Sequence, residues 1–374
     1  MEASKQSQQQ DFSTILTEDI LKPLLRAGLS IGYIKEQSIK NTHIIDIYID
    51  RALDEQEFRR IYYDYVSGYG YMPIQLDYGQ PIIRLIKINM RKRRTLQLFL
   101  LSITSITVFL TGLALSASIL DAFIYTACFL GALALHEFGH MLASRRYGVI
   151  IDGPFFIPAP PAQLGFIGTL GAVISMKTLP PNRRSLAIIG IAGPLLGFAA
   201  AIVIGLVGVY MSSLITVQEA TKLIQAKQAA ELSFIPLALQ ILIAVRGVPQ
   251  GYTIMLHPLA FASFIVFIVT FLNLLPIGQL DGGHVIRSLT SPRTHNLISY
   301  IVIAGVLLTG SVLLGLGYES LGYYYSFLGF ILIIFKLIFG RGIHPGPANQ
   351  LSTRKPWWIL PIYIALLILS MPIA

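Results

Sequence analysis

Seven apolar runs constrain the fold of this chain more than any other feature. A bilayer core about 30 Å thick is crossed by about 20 apolar residues in a helix, and these runs approach or reach that length. Inside the core every backbone polar group needs a partner within the protein, which only helices and closed barrels provide. We therefore expect a predominantly α-helical, polytopic membrane protein with about seven transmembrane helices. The runs are 96–118, 122–142, 186–211, 259–276, 297–316, 321–339 and 357–372.

Lysines and arginines lie at alternate ends of these runs. Residues 91–94 are Arg-Lys-Arg-Arg just before the first run, whereas the linkers 117–121 and 317–320 hold no lysine or arginine. Basic loops stay on the cytosolic side, which predicts a cytosolic N-terminus in a protein of the cell membrane. The net charge of +9 among 374 residues is then explained by topology and anionic headgroups. We expect these charges to face the lipid bilayer. We expect no nucleic-acid partner.

The sequence His-Glu-Phe-Gly-His at 136–140 lies within the second run. His136 and His140 are four residues apart, so one face of a helix presents both, where they can share one zinc ion. In the H-E-x-x-H pattern the glutamate, here Glu137, binds no metal; it takes a proton from the attacking water and passes it to the leaving amine. The pattern can arise by chance, but ionisable groups in an apolar span are costly and indicate function. The motif predicts a zinc site for peptide hydrolysis. We expect this site to lie near the cytosolic ends of its helices.

A catalytic zinc site needs a third protein ligand beside one open position. Asp281 is the conspicuous acid near the later apolar runs, within Asn-Leu-Leu-Pro-Ile-Gly-Gln-Leu-Asp-Gly-Gly-His at 273–284. Asp-Gly-Gly is also typical of a turn that ends a helix. On the residues alone, both a third ligand and a simple turn remain open for this position.

The two motifs, 136–140 and 273–283, resemble the site-2 protease family of intramembrane zinc metalloproteases, peptidase family M50, most of all its archaeal and chloroplast members. Segments 165–176, 179–184 and 192–195 are also similar to that family. The resemblance implies one Zn²⁺ held by His136, His140 and Asp281, with Glu137 as the general base.

Two further residues of the second motif are candidates for supporting roles. Asn273 matches a polar position of the family motif and implies a contact to substrate backbone or to the ligand helix; a hydrogen bond that only packs helices is the alternative. His284 directly follows the ligand loop, where it can hydrogen-bond a ligand or orient the substrate, as is common around zinc. We expect His257, His295 and His344 to be structural.

The residues before the first run have the pattern of a small soluble module. Residues 42–49 alternate like a strand, 54–68 form an amphipathic pattern capped by Asp54, and 71–89 contain two strands around a turn at 78–80. A β-α-β-β module of this size is small for independent stability, so we expect it to pack against the membrane-embedded part of the chain. A polar tail precedes it, with a short helix over 17–26.

These patterns divide the chain into three predicted parts. Residues 1–30 are a flexible tail with a short helix, and 31–94 are a cytosolic α+β module. Residues 95–374 are a membrane-embedded metalloprotease domain, with a core over 95–290 and additional helices over 295–374.

Two segments of that domain break the helical pattern. Residues 149–178 hold too many glycines and prolines for a helix and are too apolar for an exposed loop, so we expect a membrane-associated, re-entrant β-hairpin. Its strand over 166–176 either pairs with an unwound substrate or only seals the cavity. In the loop 212–257, residues 217–232 predict a surface helix and 234–245 a short interfacial segment.

The chain is therefore predicted to be a membrane-embedded zinc endopeptidase that cuts in or near transmembrane segments of other proteins. A zinc transporter is a second hypothesis, because intramembrane His and Asp also mark ion paths. A non-catalytic membrane scaffold is a third.

Overall fold

The computed structural model describes residues 19–39, 42–90, 93–116, 118–164, 167–339 and 344–373. Its first part is a four-stranded antiparallel sheet with two helices packed on it. The helix α1 covers 19–26, so positions 17 and 18 of the predicted helix lie outside the described residues. There follow β1 (Ile31–Ile39), β2 (Thr42–Ile49), α2 (Glu55–Asp64), β3 (Tyr71–Asp77) and β4 (Pro81–Lys87), with the sheet order β1-β2-β4-β3.

Helix α2 begins and ends as its sequence predicts. The Asp54 side chain accepts hydrogen bonds from the backbone N–H groups of Gln56 and Glu57, and the Glu57 side chain accepts one from the Asp54 backbone N–H, which forms a capping box. The helix continues as a π-helical turn over Tyr65–Tyr69 and stops at Gly70, which has a positive φ of 67°. The expected helix from 54 to 68 is thus present.

The predicted β-α-β-β order is wrong in one respect, because β1 adds a fourth strand. Residues 35–38 are Lys-Glu-Gln-Ser, a polar run without the alternation that indicates a strand. The strand forms because β1 lies at the edge of the sheet and is hydrogen-bonded to β2 in antiparallel register. Tyr33 also stacks on Tyr48 with ring centroids 3.8 Å apart.

The N-terminal module packs against later parts of the chain, as its small size predicts. The hydroxyl of Tyr62 donates to the carbonyl of Leu179 at 2.8 Å. Gln75 is fully buried and its amide donates to Asn349 Oδ1 at 3.1 Å. Ala348 belongs to the same buried cluster as the core of the sheet.

Helices make up most of the remaining chain, and all seven apolar runs contain one. They are α3 (Arg94–Leu115), α4 (Ile119–Arg146), α5 (Arg183–Met211), α8 (Pro258–Leu274), α10 (Pro292–Gly315), α11 (Glu319–Phe339) and α12 (Ile359–Ser370). Among the described residues five helices, namely α3, α4, α5, α10 and α11, are long and apolar enough to cross a membrane. The other two, α8 and α12, have 17 and 12 residues. The structure is that of a membrane protein.

The Gly- and Pro-rich segment between α4 and α5 is a β-hairpin, as expected. Strand β5 (Ile151–Pro158) pairs antiparallel with β6 (Thr169–Met176). Residues 165 and 166 lie outside the described residues. Strand β5 packs along α3, while β6 lies beside α4. The second strand is therefore the one next to the helix that carries the first motif.

The loop after α5 contains two short helices and three short strands. These are β7 (Ser213–Thr216), α6 (Val217–Gln225), β8 (Ile235–Pro236), α7 (Leu237–Arg246) and β9 (Tyr252–Met255). The surface helix predicted to reach residue 232 ends at Gln225, because Lys227 adopts a left-handed conformation with φ 56°. Helix α7 packs against α5 and α8, and β7 pairs with β9.

A segment over 344–352, which we call the connecting segment, touches three parts of the fold. It forms a parallel bridge with β3 between Asn349 and Gln75. The backbone N–H of Ala348 donates to the Pro180 carbonyl at 2.7 Å, just before α5. Arg183 donates to the Ser352 carbonyl at 2.7 Å. The segment joins the N-terminal module to the start of α5 and to α9 (Asp281–Leu289).

Candidate metal centre

His136 and His140 lie one helical turn apart on α4 and turn towards the same point. Both are buried, with 5% and 9% of their surface exposed. Their Nε2 atoms are 3.2 Å apart. The four-residue spacing of the motif therefore produces the shared face that the sequence predicts.

Asp281 is the first residue of α9 and meets both imidazoles. Its Oδ2 is 3.2 Å from His136 Nε2 and its Oδ1 is 3.2 Å from His140 Nε2. The turn that leads to it is held by side chains of neighbouring helices. The Tyr363 hydroxyl donates to the Leu274 carbonyl at 2.7 Å, and the Ser299 hydroxyl to the Pro276 carbonyl at 3.1 Å.

Helix α5 closes the site from the third side by direct backbone contact. A Cβ at Gly193 would overlap the His140 ring, and a Cβ at Gly139 would overlap the Ala192 carbonyl. Only residues without a Cβ let α4 and α5 approach so closely. The Ala192-Gly-Pro-Leu195 segment is thus part of the wall of the centre.

The backbone of α5 also determines which nitrogen of His140 is free. The Nδ1–H of His140 donates to the Ile189 carbonyl oxygen at 2.8 Å. With the proton held on Nδ1, the Nε2 lone pair points towards His136 and Asp281. A hydrogen bond of this kind fixes the tautomer and orientation of a metal-binding histidine.

The donor set fits zinc in both chemistry and spacing. Two imidazole nitrogens and one carboxylate oxygen are the ligands of a catalytic zinc that keeps one position open. Ligands about 2.0–2.1 Å from a tetrahedral ion lie about 3.3–3.4 Å from one another, and the pairs described above are separated by 3.2 Å. Within the described part of the chain, these three residues are the group whose ligand atoms all lie within 4.8 Å of one another.

Glu137 follows His136 on α4 and is equally buried, with 5% of its surface exposed. Its side chain has no hydrogen bond to another described residue. A buried carboxylate that directly follows His136 in the chain is a candidate general base.

His284 lies three residues after Asp281 on α9 and is hydrogen-bonded to a second histidine. The backbone N–H of Gly346 donates to His344 Nδ1 at 3.0 Å. His344 therefore carries its proton on Nε2, which lies 2.8 Å from His284 Nδ1 and donates to it. His284 in turn carries its proton on Nε2. Burial lowers the pKa of His284 to about 4 and also lowers the pKa of His344, so both are neutral.

The remaining candidates divide between structural and unassigned positions. His257 caps α8, since its Nδ1 accepts from the backbone N–H of Leu259 at 3.2 Å. His295 is 1% exposed and its ring lies 5.3 Å from that of His344. Asn273 lies one residue before the end of α8, and no hydrogen bond joins its side chain to a described residue, so the helix-packing bond is not present there.

Comparison with known proteins identifies the family of the chain. The sequence profile of peptidase family M50 matches residues 124–316. The chain belongs to peptidase family M50. This matched range includes His136, Glu137, His140 and Asp281. No solved structure matches the chain at a significant level.

Curated relatives of the chain are named as probable zinc metalloproteases. The chain is 26% identical over 240 residues to the probable zinc metalloprotease EGY2, chloroplastic, of Arabidopsis thaliana, covering 63% of the chain and 39% of that protein. It is 30% identical over 197 residues to the probable zinc metalloprotease EGY1, chloroplastic, of the same plant, covering 50% of the chain and 34% of that protein. The chain thus spans well under half the length of these M50 relatives.

Three groups around the candidate metal centre are not predictable from the sequence. The Ile189 carbonyl is a backbone group, which no residue pattern reveals. Gly193 was visible only as part of a family-like segment without a role. His344 lies 60 residues after His284, and because nothing in the sequence joins the two, the sequence predicts only a structural role for it.

Proposed function

We propose that the protein is a membrane-embedded zinc endopeptidase that hydrolyses peptide bonds in or beside transmembrane segments of other proteins. The observation that carries this proposal is the convergence of His136, His140 and Asp281 beside the buried Glu137. The convergence occurs on helices of a membrane protein. The sequence relatives named as probable zinc metalloproteases support the same chemistry.

Glu137 is proposed as the general base and acid of the reaction. Zinc, when held by the three ligands, supplies a Lewis acid that polarises the scissile carbonyl and makes water more acidic. The Glu137 carboxylate then takes the proton of the attacking water and delivers it to the nitrogen of the leaving amine. Burial of the site excludes bulk water and strengthens these electrostatic interactions.

The position of the motif along α4 gives access to water. With about 1.5 Å per residue, the 28 residues of α4 span about 42 Å, which exceeds a bilayer core of about 30 Å. His140 lies five residues before Arg145 and six before Arg146, which form the basic end of the helix. We propose that this end is cytosolic and that the centre lies at modest depth, in a chain with seven spans and a cytosolic N-terminal module.

Strand β6 supports a role in holding the substrate. A peptide bond inside a helix is shielded, so cleavage needs an unwound segment, and a strand edge can hold such a segment by main-chain pairing. The hairpin has two strands, and β6 lies beside α4. Val173 on β6 is 50% exposed. The alternative, a hairpin that only seals the cavity, predicts no contact with substrate.

The decisive experiment changes Glu137 to Gln, which preserves volume but removes the proton acceptor. Zinc content and fold should be retained, while cleavage of a membrane-anchored substrate falls by about two orders of magnitude or more. A zinc transporter or a scaffold needs no general base, so near-normal cleavage in this variant would contradict the proposal. Parent protein with a zinc chelator is the second control.

The same variant tests the hairpin. A photo-crosslinking residue at Val173 in the Glu137→Gln protein should capture uncut substrate, whereas one at Leu206, which is 41% exposed on α5, should not. Equal capture at both positions would leave β6 with the sealing role.

Topology is tested separately by cysteine labelling in a Cys128→Ala protein. Cysteines at Ser67 and Ser320 should react from opposite faces of sealed vesicles, because an odd number of spans separates them. Labelling from one face would contradict the seven-span arrangement.

A further inference from the structure

A cavity of about 640 Å³ lies where the N-terminal module meets the ends of the membrane helices. One wall is a face of α2, and another is the end of α4 with the start of α5. The third is the segment that leads into α12. The cavity is separate from the metal centre, since none of the three metal ligands lines it.

The lining of this basic cavity is strongly cationic. Arg59, Arg146, Arg184, Arg354 and Lys355 contribute five positive charges, and Glu55 contributes one negative charge. The five cations come from four separate segments of the chain, so the fold brings them together. Like charges around one cavity repel one another and destabilise the compact state unless an anion neutralises them.

Nothing else in the described part of the chain neutralises these cations. The ion pairs of the described residues involve other lysines and arginines. Glu55 is hydrogen-bonded to the Ser352 hydroxyl. The cavity therefore offers several unpaired guanidinium groups, whose fork of N–H donors matches phosphate oxygens.

The cavity is held open by contacts between its walls. Tyr62 on α2 bonds the Leu179 carbonyl, and Arg183 on α5 bonds the Ser352 carbonyl. Tyr63 Oη lies 3.4 Å from the Arg146 carbonyl. The walls are thus joined by direct hydrogen bonds, which reduces the ordering that a ligand would have to impose.

The cavity also lies beside the ends of three apolar helices. Helix α4 ends at Arg146, α5 begins at Arg183, and α12 begins at Ile359, so three apolar helices reach the surface here. Trp358, which lines the cavity, is 51% exposed. Tryptophan and basic residues together are typical of the membrane interface.

From this geometry we infer that the basic cavity binds a phosphate-bearing anion that bridges the N-terminal module and the membrane helices. The N-terminal module contributes the guanidinium group of Arg59, and α4 and α5 contribute those of Arg146 and Arg184. The segment that leads into α12 contributes that of Arg354. The ligand is either the headgroup of an anionic lipid or a soluble polyphosphate, which share the chemistry that these side chains recognise.

The test uses the full-length protein in phosphatidylcholine nanodiscs, titrated with pyrophosphate. A cavity variant carries Arg59→Gln, Arg146→Gln and Arg354→Gln. The matched control carries Arg60→Gln, Arg145→Gln and Arg293→Gln, which removes three exposed charges outside the cavity. Both variants are checked for zinc content and monodispersity, so that a misfolded protein is recognised.

A second arm identifies the source of the phosphate. Nanodiscs that contain phosphatidylglycerol replace the soluble anion, and hydrogen–deuterium exchange is followed in α2 and residues 354–358. If a soluble polyphosphate is the ligand, the cavity variant loses at least about tenfold in pyrophosphate affinity while the control changes by less than about twofold. If a lipid is the ligand, phosphatidylglycerol slows exchange in the parent and control but not in the cavity variant.

Two results would overturn the inference. Equal losses in both variants would show that general surface charge, and not the cavity, attracts the anion. Absence of both saturable pyrophosphate binding and lipid-dependent protection in the parent would show that no phosphate binds. Neither arm measures peptide hydrolysis, so each result is independent of the proposed protease activity.

Discussion

At the metal centre two helices touch backbone to backbone, whereas in the N-terminal module a helix and a sheet meet through large side chains. Gly139 and Gly193 allow the first contact. The second relies on fully buried residues such as Phe58, Tyr62 and Ile83. Both regions are buried, but only the first must also hold polar atoms at fixed separations.

The difference teaches what each region can tolerate. The module is stabilised by apolar area, so loss of a methyl group weakens it gradually. The metal centre is stabilised by close approach, so addition of a methyl group displaces a ligand. Substitutions that are matched between the two regions should therefore separate loss of stability from loss of metal binding.

The largest expected effect comes from a comparison of two aspartates, the partly buried Asp281 at the metal centre and the buried Asp46 in the module. Asp281→Ala removes a ligand, and we expect zinc affinity to fall by more than about a hundredfold, beyond the loss typical of a residue that only supports a ligand. Asp46→Ala instead breaks a bidentate pair with Arg84 in the sheet, with N–O distances of 2.7 and 2.8 Å. Its zinc content should stay near one ion per chain by metal analysis. Full zinc retention in Asp281→Ala would remove Asp281 from the ligand set.

The next effect concerns glycines. Gly193→Ala places a methyl group against the His140 ring and should cost about 1–3 kcal/mol, seen as weaker zinc retention in competition with a chelator. Gly131→Ala on α4 meets nothing within 4 Å and should leave zinc retention unchanged. Similar zinc loss in both variants would mean that the backbone contact is not what positions His140.

A smaller effect is expected at the histidine pair. His344→Ala leaves the buried Nδ1 of His284 without its donor, which costs about 1–3 kcal/mol and should lower the midpoint of thermal unfolding. His344→Gln supplies an amide N–H in a similar place and should recover part of the loss. No difference between the two variants would indicate that the ring fills space and the hydrogen bond contributes nothing.

The smallest effect lies in the module and depends on pH. Arg51 and the Asp54 backbone lower the pKa of Glu57 to about 2, below its usual value of about 4.3. Because the folded-state pKa is depressed, its stabilisation is complete above the unfolded value and is lost as pH falls towards 2. Glu57 is partly exposed, so the effect is small. Glu57→Gln should flatten this acid dependence in hydrogen exchange of α2 and leave the metal centre unchanged.

The two regions also differ in what their sequences reveal. The ligands at His136 and His140 follow from local spacing, and α2 follows from its cap and its periodicity. By contrast, the hydrogen bond from His140 to Ile189 joins residues 49 positions apart, and no local pattern encodes such a contact. The sequence does not predict strand β1, because its polar residues lack strand alternation and only pairing with β2 makes it a strand. The helix predicted after β7 is longer than the observed one, because the left-handed Lys227 ends the helix early. Chemistry carried by one segment was predictable from the residues, whereas positions set by two packed segments were predictable only where the family resemblance implied them, as for Asp281.

The connecting segment has a mechanical consequence for the whole molecule. Its Asn349 is tied to Gln75 in the sheet, while His344, five residues earlier, is tied to His284 beside the metal ligands. A rigid displacement of the sheet would pull on Asn349, and little slack separates that residue from the histidine pair. Residues 344–349 therefore join a hydrogen bond in the sheet to a hydrogen bond on the helix that begins with Asp281. The N-terminal module and the candidate metal centre are thus linked through a single short stretch of chain.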